Sequence, residues 1–352
     1  MSLWDEPHRG RHHYAKLLSK THTVIWVNRN LKNGENDINK ALEHIQDGLY
    51  VLHTGHPLIH PRLDARINLN TRFRLQLLRK ELQKINGNEP DLIWIYDFRA
   101  KGFARHFKSH AKSIYFCNDY FGETAYKKFE RKLARYVDNV FCTAPKLAQR
   151  FQDINQKTVF LPHGTDIPEI KPRIKSDSIP VKIGYVGTLR EQIDVDYLAR
   201  IVNSTNFKLI LSGPIINCSP QRRKDIDSLI QHSQVEYRGD LRRSDAFATI
   251  NELDICLLPY EKTFKTQHNF VIKYFEYLVL GKPIVATKYF DWPEPYDKYV
   301  TVLNESEITD EYFRKVYDAW TVEKSNEAIS FAKKNTWKHR IDKISEYTCM
   351  QL

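Results

Sequence analysis

Twelve short apolar runs separated by longer amphipathic stretches constrain the fold of this chain more than any single motif. In the first half they are TVIWVN (23–28), LYVLH (49–53), LIWIY (92–96), SIYFC (113–117), NVFCT (139–143) and TVFLP (158–162). In the second they are VKIGYVG (181–187), KLILSG (208–213), VEYRG (235–239), DICLLP (254–259), PIVAT (283–287) and VTVL (300–303). Runs this short and this apolar suit strands buried on both faces, and the stretches between them suit crossover helices, so each half reads as a doubly wound parallel sheet. A chain of 352 residues is long for one core, which also favours two domains. The stretch GTDIPEIKPRIKSDSIP, rich in Pro, Ser and charge, separates the halves. The expected division is a basic domain over 1–165, a linker over 166–180, a second domain over 181–324, and a helical segment over 325–352 packing back toward the first domain. One irregularity stands at the start: the helix-like GRHHYAKLLSK comes where such a domain opens on a strand. That implies either a very short first strand or a natural start upstream of Met1.

Composition narrows the function classes. No apolar run reaches the roughly 18 residues of a membrane span, and MSLWDEPHRGRHH lacks a signal-peptide core, so a cytoplasmic location is expected. Cys117, Cys142, Cys218, Cys256 and Cys349 are odd in number and widely spaced, without a C-x-x-C pair, which argues against a disulfide framework or structural zinc. The net charge of +11 lies entirely in the first half: residues 1–165 carry 27 Lys and Arg against 16 Asp and Glu, and the remainder balances. A basic half points to an anionic partner. Nucleic acid would bring a zinc-finger spacing, an RNP motif or a helix-turn-helix, and none is present. The anionic inner face of a membrane, met through a basic helix such as YKKFERKLAR (126–135), is the expected partner; a solvated helix face is the alternative reading of that helix.

Ligands of doubly wound sheets bind beyond the carboxyl ends of the strands, where glycines let backbone N–H groups approach a phosphate. Gly187, Gly213 and Gly239 each follow a strand of the second half, yet no G-x-G-x-x-G is present, which counts against a dinucleotide site. In HNFVIKYFEYLVLGKPIVAT (268–287) nearly every position is apolar, the pattern of a helix packed on all sides. Asn269, Lys273 and Glu276 stand at i, i+4 and i+7, one polar stripe on such a helix. Lysine suits a diphosphate, and a carboxylate one turn on can accept two hydrogen bonds from the vicinal hydroxyls of a ribose. The other reading of Lys273 and Glu276 is a local ion pair. DVD (194–196) and DID (225–227) have the spacing of a divalent-cation motif, but both lie in polar helix-like stretches away from strand ends, and no metal is assigned to them.

The succession GYVGTL, VEYRGDL, DICLLPY and KYFEYLVLGKPIVAT resembles the donor domain of GT-B glycosyltransferases over about residues 180–290. WDEPHRGRHH, CNDYF and LPHGTD resemble, more loosely, bacterial cell-surface polysaccharide glycosyltransferases. The resemblance implies two Rossmann-like domains facing across a cleft. It implies that Glu276 binds the ribose, Lys273 the diphosphate, Gly187 with Thr188 the phosphate end, and that Tyr237 and Arg238 flank the base. Arg190 of GTLRE would help neutralise the leaving diphosphate. Many retaining members carry a glutamate where His268 stands here, so His268 becomes a candidate for a catalytic or sugar-contacting role and the stereochemistry stays open. Asp119 of CNDYF would be the general base of an inverting reaction or an acceptor ligand; a helix-capping Asp is the alternative. Arg9, Gly10, Arg11, His12 and His13 would line the cleft, a surface role being equally open for the two histidines. His163 and Gly164 would act as hinge or donor contact. The function expected is metal-independent transfer of a hexose from a nucleoside diphosphate sugar, a UDP-sugar first, to a hydroxyl of a lipid-linked or polysaccharide acceptor in cell-surface polysaccharide synthesis. A nucleotide-sugar epimerase on the same architecture and a non-catalytic nucleic-acid-binding protein are the competing readings.

Overall fold

A computed structural model describes residues 3–6, 9–32, 41–59, 63–64, 67, 69–85, 87–122, 126–174, 181–303 and 308–352. Pro7 and His8 of the WDEPHRGRHH stretch and positions 175–180 of the expected linker lie outside these. The chain divides into two units, Met1–Pro162 with Trp337–Leu352, and His163–Thr336.

The first unit opens on helix α1 (Gly10–Leu18), followed by strands β1 (Val24–Val27), β2 (Leu42–Gln46) and β3 (Leu49–Leu52), helix α2 (Leu69–Lys84), β4 (Leu92–Ile95) and α3 (Lys101–His106). Then come β5 (Lys112–Cys117), α4 (Lys127–Tyr136), β6 (Asn139–Cys142), α5 (Pro145–Gln149) and β7 (Thr158–Phe160). All six apolar runs of this half form strands. The antiparallel β2, whose sequence LEHIQ carries no apolar run, was not signalled. A second difference concerns the sheet, expected to be single. It comes in two parts, β1-β3-β2 and β4-β5-β6-β7, with β1 and β4 as unjoined edges. Residues of β5 and β6 are buried apart from Lys112, whereas all of β1 is only partly buried.

The second unit contains β8 (Lys182–Val186), α6 (Val195–Ser204), β9 (Lys208–Ser212), α7 (Pro220–Leu229), β10 (Val235–Tyr237), α8 (Arg243–Glu252) and β11 (Ile255–Leu258). It continues with α9 (Phe264–Gln267), α10 (Lys273–Leu278), β12 (Ile284–Ala286), β13 (Val300–Val302), α11 (Asp310–Ala319) and α12 (Val322–Lys333). One parallel sheet runs β10-β9-β8-β11-β12-β13, the doubly wound order that reverses between its first and fourth strands in sequence. Ser219, with Pro220 at the first helical position, and Asp194 cap α7 and α6 through side-chain oxygens.

The expected boundaries shift. Arg173 donates to Asp254 Oδ1 (2.7 Å) and to the Glu252 carbonyl, and Lys282 Nζ donates to the carbonyls of Arg173 and Asn251. The part of the expected linker around Arg173 is thus fastened to the second unit. Burial of Lys282 pushes its ammonium down to about 8. The segment expected over 325–352 is divided: α12 packs on α10 within the second unit, and only α13 (Trp337–Thr348) with the tail joins the first, against α1. The reason is local. Phe331 stacks on Tyr299 and Phe275, whereas Trp337 stacks on His13 and meets Tyr14 edge-on.

Glu130 of α4 is fully buried and accepts from Tyr115 Oη (2.7 Å), Arg150 Nη2 (2.5 Å) and Cys117 Sγ (3.6 Å). Removing a buried carboxylate strands its cation. Glu130→Ala is therefore expected to destabilise the first unit by about 3–5 kcal/mol, and Glu130→Gln by less, as measured by urea unfolding.

Candidate functional site

The reversal of strand order between β8 and β11 puts a ligand crevice beyond the carboxyl ends of these strands. Gly187, Gly213 and Gly239 make the turns there. The Gly213 N–H donates to the Gly239 carbonyl (2.6 Å) and the Gly187 N–H to that of Ser212 (2.8 Å). Gly213 has φ +132°, and a side chain on it would run into the Gly187 carbonyl, so only glycine fits. A β-carbon on Gly187 would come within 2.8 Å of Lys273 Cε. The absence of one lets the lysine stem lie over the β8 turn.

The expected stripe of Asn269, Lys273 and Glu276 needs correction. The helix is not continuous: α9 opens on a capping box of Thr263 and Thr266 and ends at Gln267, where His268 caps it with Nδ1 at 2.6 Å from the Phe264 carbonyl. Asn269 lies in the non-helical link before α10, its N–H bonded to the Thr266 carbonyl. Lys273 and Glu276 share the first turn of α10, and the burial expected around them is present: Phe270, Val271, Phe275, Leu278, Val279 and Leu280 are all buried.

Glu276 is 3% exposed. Its Oε2 accepts from Lys273 Nζ (2.7 Å), so the local ion pair exists, and its Oε1 lies 3.3 Å from Arg243 Nη2. Burial alone would raise the carboxyl, but Lys273 and Arg243 outweigh it and hold the group below the ordinary carboxylate range. Arg243 also pairs with Asp166 Oδ2 (2.7 Å). An ionised carboxylate offers about four acceptor positions and an ammonium three donors. After their mutual contact, Glu276 can still accept two hydroxyls and Lys273 can still donate to phosphate oxygens. Arg243 and Asp166 were not anticipated, because Arg243 opens α8 and Asp166 lies in a loop, both far from Glu276 in the sequence.

Other expected residues divide between open and engaged. Thr188 follows Gly187, its carbonyl accepting from Tyr185 Oη (3.3 Å), and Arg190 is exposed two residues on. Tyr237 Oη donates to the Gly213 carbonyl (2.9 Å), tying β10 to the β9 turn. Arg238, expected to flank a base, has its guanidinium held by Glu236 (2.7 Å) and Glu252 (2.9 Å). Asp194 caps α6 and Asp227 pairs with Arg223, so the two acid motifs have local structural roles.

In the first unit Asp119 is exposed in the loop after β5. His12, considered for a cleft, is instead buried: Nδ1 accepts from the Arg9 N–H (2.9 Å), Nε2 lies 3.2 Å from the Trp4 carbonyl, and the ring stacks on Trp26. His13 stacks on Trp337 with centroids 4.9 Å apart. Gly10 begins α1 and is buried, and Arg11 lies over the Tyr96 ring, its pKa lowered by burial. Both histidines thus pack α1 into its unit. In the second unit, His163 and Gly164 precede Thr165, which bonds to the Asn335 carbonyl.

Residues 180–318 match the model of the family described as glycosyl transferases group 1. No curated protein matches the chain by sequence. Among solved structures, sucrose-phosphate synthase from Thermosynechococcus elongatus is similar at a TM-score of 0.67 and 13% identity, over 96% of this chain and 90% of that one. Anabaena HepE in complex with UDP-glucose is similar at a TM-score of 0.56 and 16% identity, over 77% and 81%. The lipopolysaccharide outer core galactosyltransferase WaaB, with no ligand bound, is similar at 0.54 and 13%, over 79% and 80%. The doubly wound second unit, the Lys273–Glu276 pair at its strand ends and these likenesses agree: the chain has the fold of the GT-B glycosyltransferases, and residues 180–318 are similar to glycosyl transferases group 1.

Proposed function

We propose that the protein transfers a hexose from a UDP-sugar to a hydroxyl of a lipid-linked or polysaccharide acceptor in the synthesis of a cell-surface polysaccharide. The observation that carries the donor half is Glu276, a buried carboxylate held ionised by Lys273 and Arg243 with acceptor capacity left over. Its remaining lone pairs suit vicinal ribose hydroxyls. Lys273, lying over the Gly187 turn, suits the diphosphate, with the Gly187 and Thr188 backbone and Arg190 beside the phosphate end. Charge that develops on the leaving diphosphate is then met by fixed cations without a metal. The UDP-glucose bound in HepE supports the choice of base. The acceptor half is supported by the likeness to a lipopolysaccharide galactosyltransferase and by the basic surface of the first unit. Asp119, exposed and outside any helix cap, remains the candidate base for the acceptor hydroxyl if the reaction inverts; His268 contacts the sugar if it retains.

On α4, Lys127, Lys128, Lys132 and Arg135 are exposed while Leu133 and Ala134 are buried. The basic edge is therefore available to an anionic membrane, each cation being worth about 1 kcal/mol there.

Four outcomes follow. Glu276→Ala is expected to lower transfer from UDP-sugars about a hundredfold or more, since hydrogen bonds to a charged group are worth roughly 1.5–3 kcal/mol each. Lys273→Ala should weaken UDP binding about tenfold or more, read by calorimetry; wild-type affinity there would remove the lysine from the site. Because Glu276 is held below its ordinary value of 4.5, its acceptor role and its ion-pair stabilisation are present above that value and lost only as pH falls through the lower folded one. The affinity for UDP-glucose, whose doubly esterified diphosphate does not titrate in this range, should accordingly stay flat between about pH 5 and 8. Flotation with phosphatidylglycerol vesicles at low salt should carry the protein upward, and replacing the four exposed cations of α4 by alanine should abolish it.

A further inference from the structure

Among the described residues both β1 and β4 end their sheets, β1 pairing with β3 and β4 with β5. They wall one cavity of about 740 Å³, lined by every residue of Val24–Val27 and of Leu92–Ile95. Consecutive residues on each strand, rather than alternate ones, line it, so the strands present their backbone edges to the space. Tyr14 and Leu18 of α1 line it too, as do Leu78 and Leu82 of α2. Three of the lining side chains hold a polar atom shielded from solvent with no hydrogen-bond partner: Arg11 Nε, Tyr14 Oη and Trp26 Nε1. Unsatisfied backbone and side-chain groups concentrated around one space mark a missing polar occupant, because buried donors and acceptors are almost always paired.

A small apolar ligand would leave the two rows of backbone N–H and C=O groups unmet. A single extended strand meets both, and the apolar side chains of α1 and α2 then cover it, as in a parallel sheet buried on both faces. Direction follows from Trp4, whose N–H donates to Asn28 Oδ1 (2.9 Å) and whose ring packs on Trp26. Leu3 thus sits beyond the carboxyl end of β1. That is where a strand parallel to β1 and β4 would finish, and α1 would then be its crossover to β1. At the amino end of β1, Gln351 O lies 3.1 Å from His22 Nε2, so the C-terminal tail sits at the opposite mouth. We propose that this slot seats one β-strand in cis, running parallel between β1 and β4 and continuing into Leu3, with apolar side chains on both of its faces.

The test compares the full chain with two versions extended before Met1 by six residues. One extension alternates Ile, Val and Thr; the other carries two prolines at its centre. The apolar extension is expected to slow about a hundredfold the exchange of the amides that face the slot, those of Ile25 and Val27, since the Val24 N–H already bonds to the Gly48 carbonyl, and the alternate amides of β4 that point away from β5; it should also raise the thermal midpoint by about 5 °C or more and shift tryptophan emission to shorter wavelength, with the protein monomeric. Equal exchange in the apolar and proline versions would overturn the proposal. So would an unextended chain whose slot-facing amides are already protected, either as a monomer, where the slot is closed, or as a dimer by light scattering, where a second copy occupies it.

Discussion

A parallel strand inside a doubly wound sheet must hydrogen-bond on both edges and bury both faces, and most features of this protein follow from meeting that demand or failing to. In the second unit β8, β9, β11 and β12 have neighbours on both sides, and from Ile183 to Val186 every residue of β8 is buried. The covering helix α10 is consequently buried from Tyr274 to Leu278, with its Phe275 and the preceding Phe270 inside a cluster of aromatic rings. Chain leaving such strands must turn sharply at their carboxyl ends, and Gly187 and Gly213 supply those turns. The site lies where the sheet ends because only there does the backbone have groups left to offer.

Each unit buries a glutamate, and the two are treated differently. Glu130 is fully enclosed and engaged by Arg150, Tyr115 and Cys117, so it serves packing. Glu276 is nearly as buried, yet its partners approach from one turn of α10 and from α8, leaving acceptor capacity. A carboxylate kept ionised by two cations and not saturated by them is suited to binding hydroxyl groups. The first unit meets the sheet demand less completely, and the space beside its β1 edge holds the unpartnered polar atoms of Trp26 and of Tyr14 from α1.

Much of this was legible beforehand. Each of the twelve apolar runs is a strand, since burial on both faces of a parallel sheet writes itself into composition. The Lys273–Glu276 pair was legible because three residues are one turn of helix. The break between Gln267 and Lys273 was not, for His268 closes α9 on the Phe264 carbonyl, a contact that apolar periodicity does not register. Strand β2 was missed because LEHIQ has one partly exposed face and pairs antiparallel at an edge. His12 looked like a cleft residue in a polar stretch, and only packing showed its ring between Trp4 and Trp26.

The sequence by itself determined the class of the fold, the strands, the glycine turns and the lysine–glutamate turn, because each depends on residues within a few positions of one another. Tertiary structure decided that Arg243 and Asp166 complete the charge network around Glu276, that the last helices divide between the units, and that β1 and β4 face a common slot. Those depend on contacts between segments far apart in the chain, and local pattern carries no record of which distant side chain will arrive.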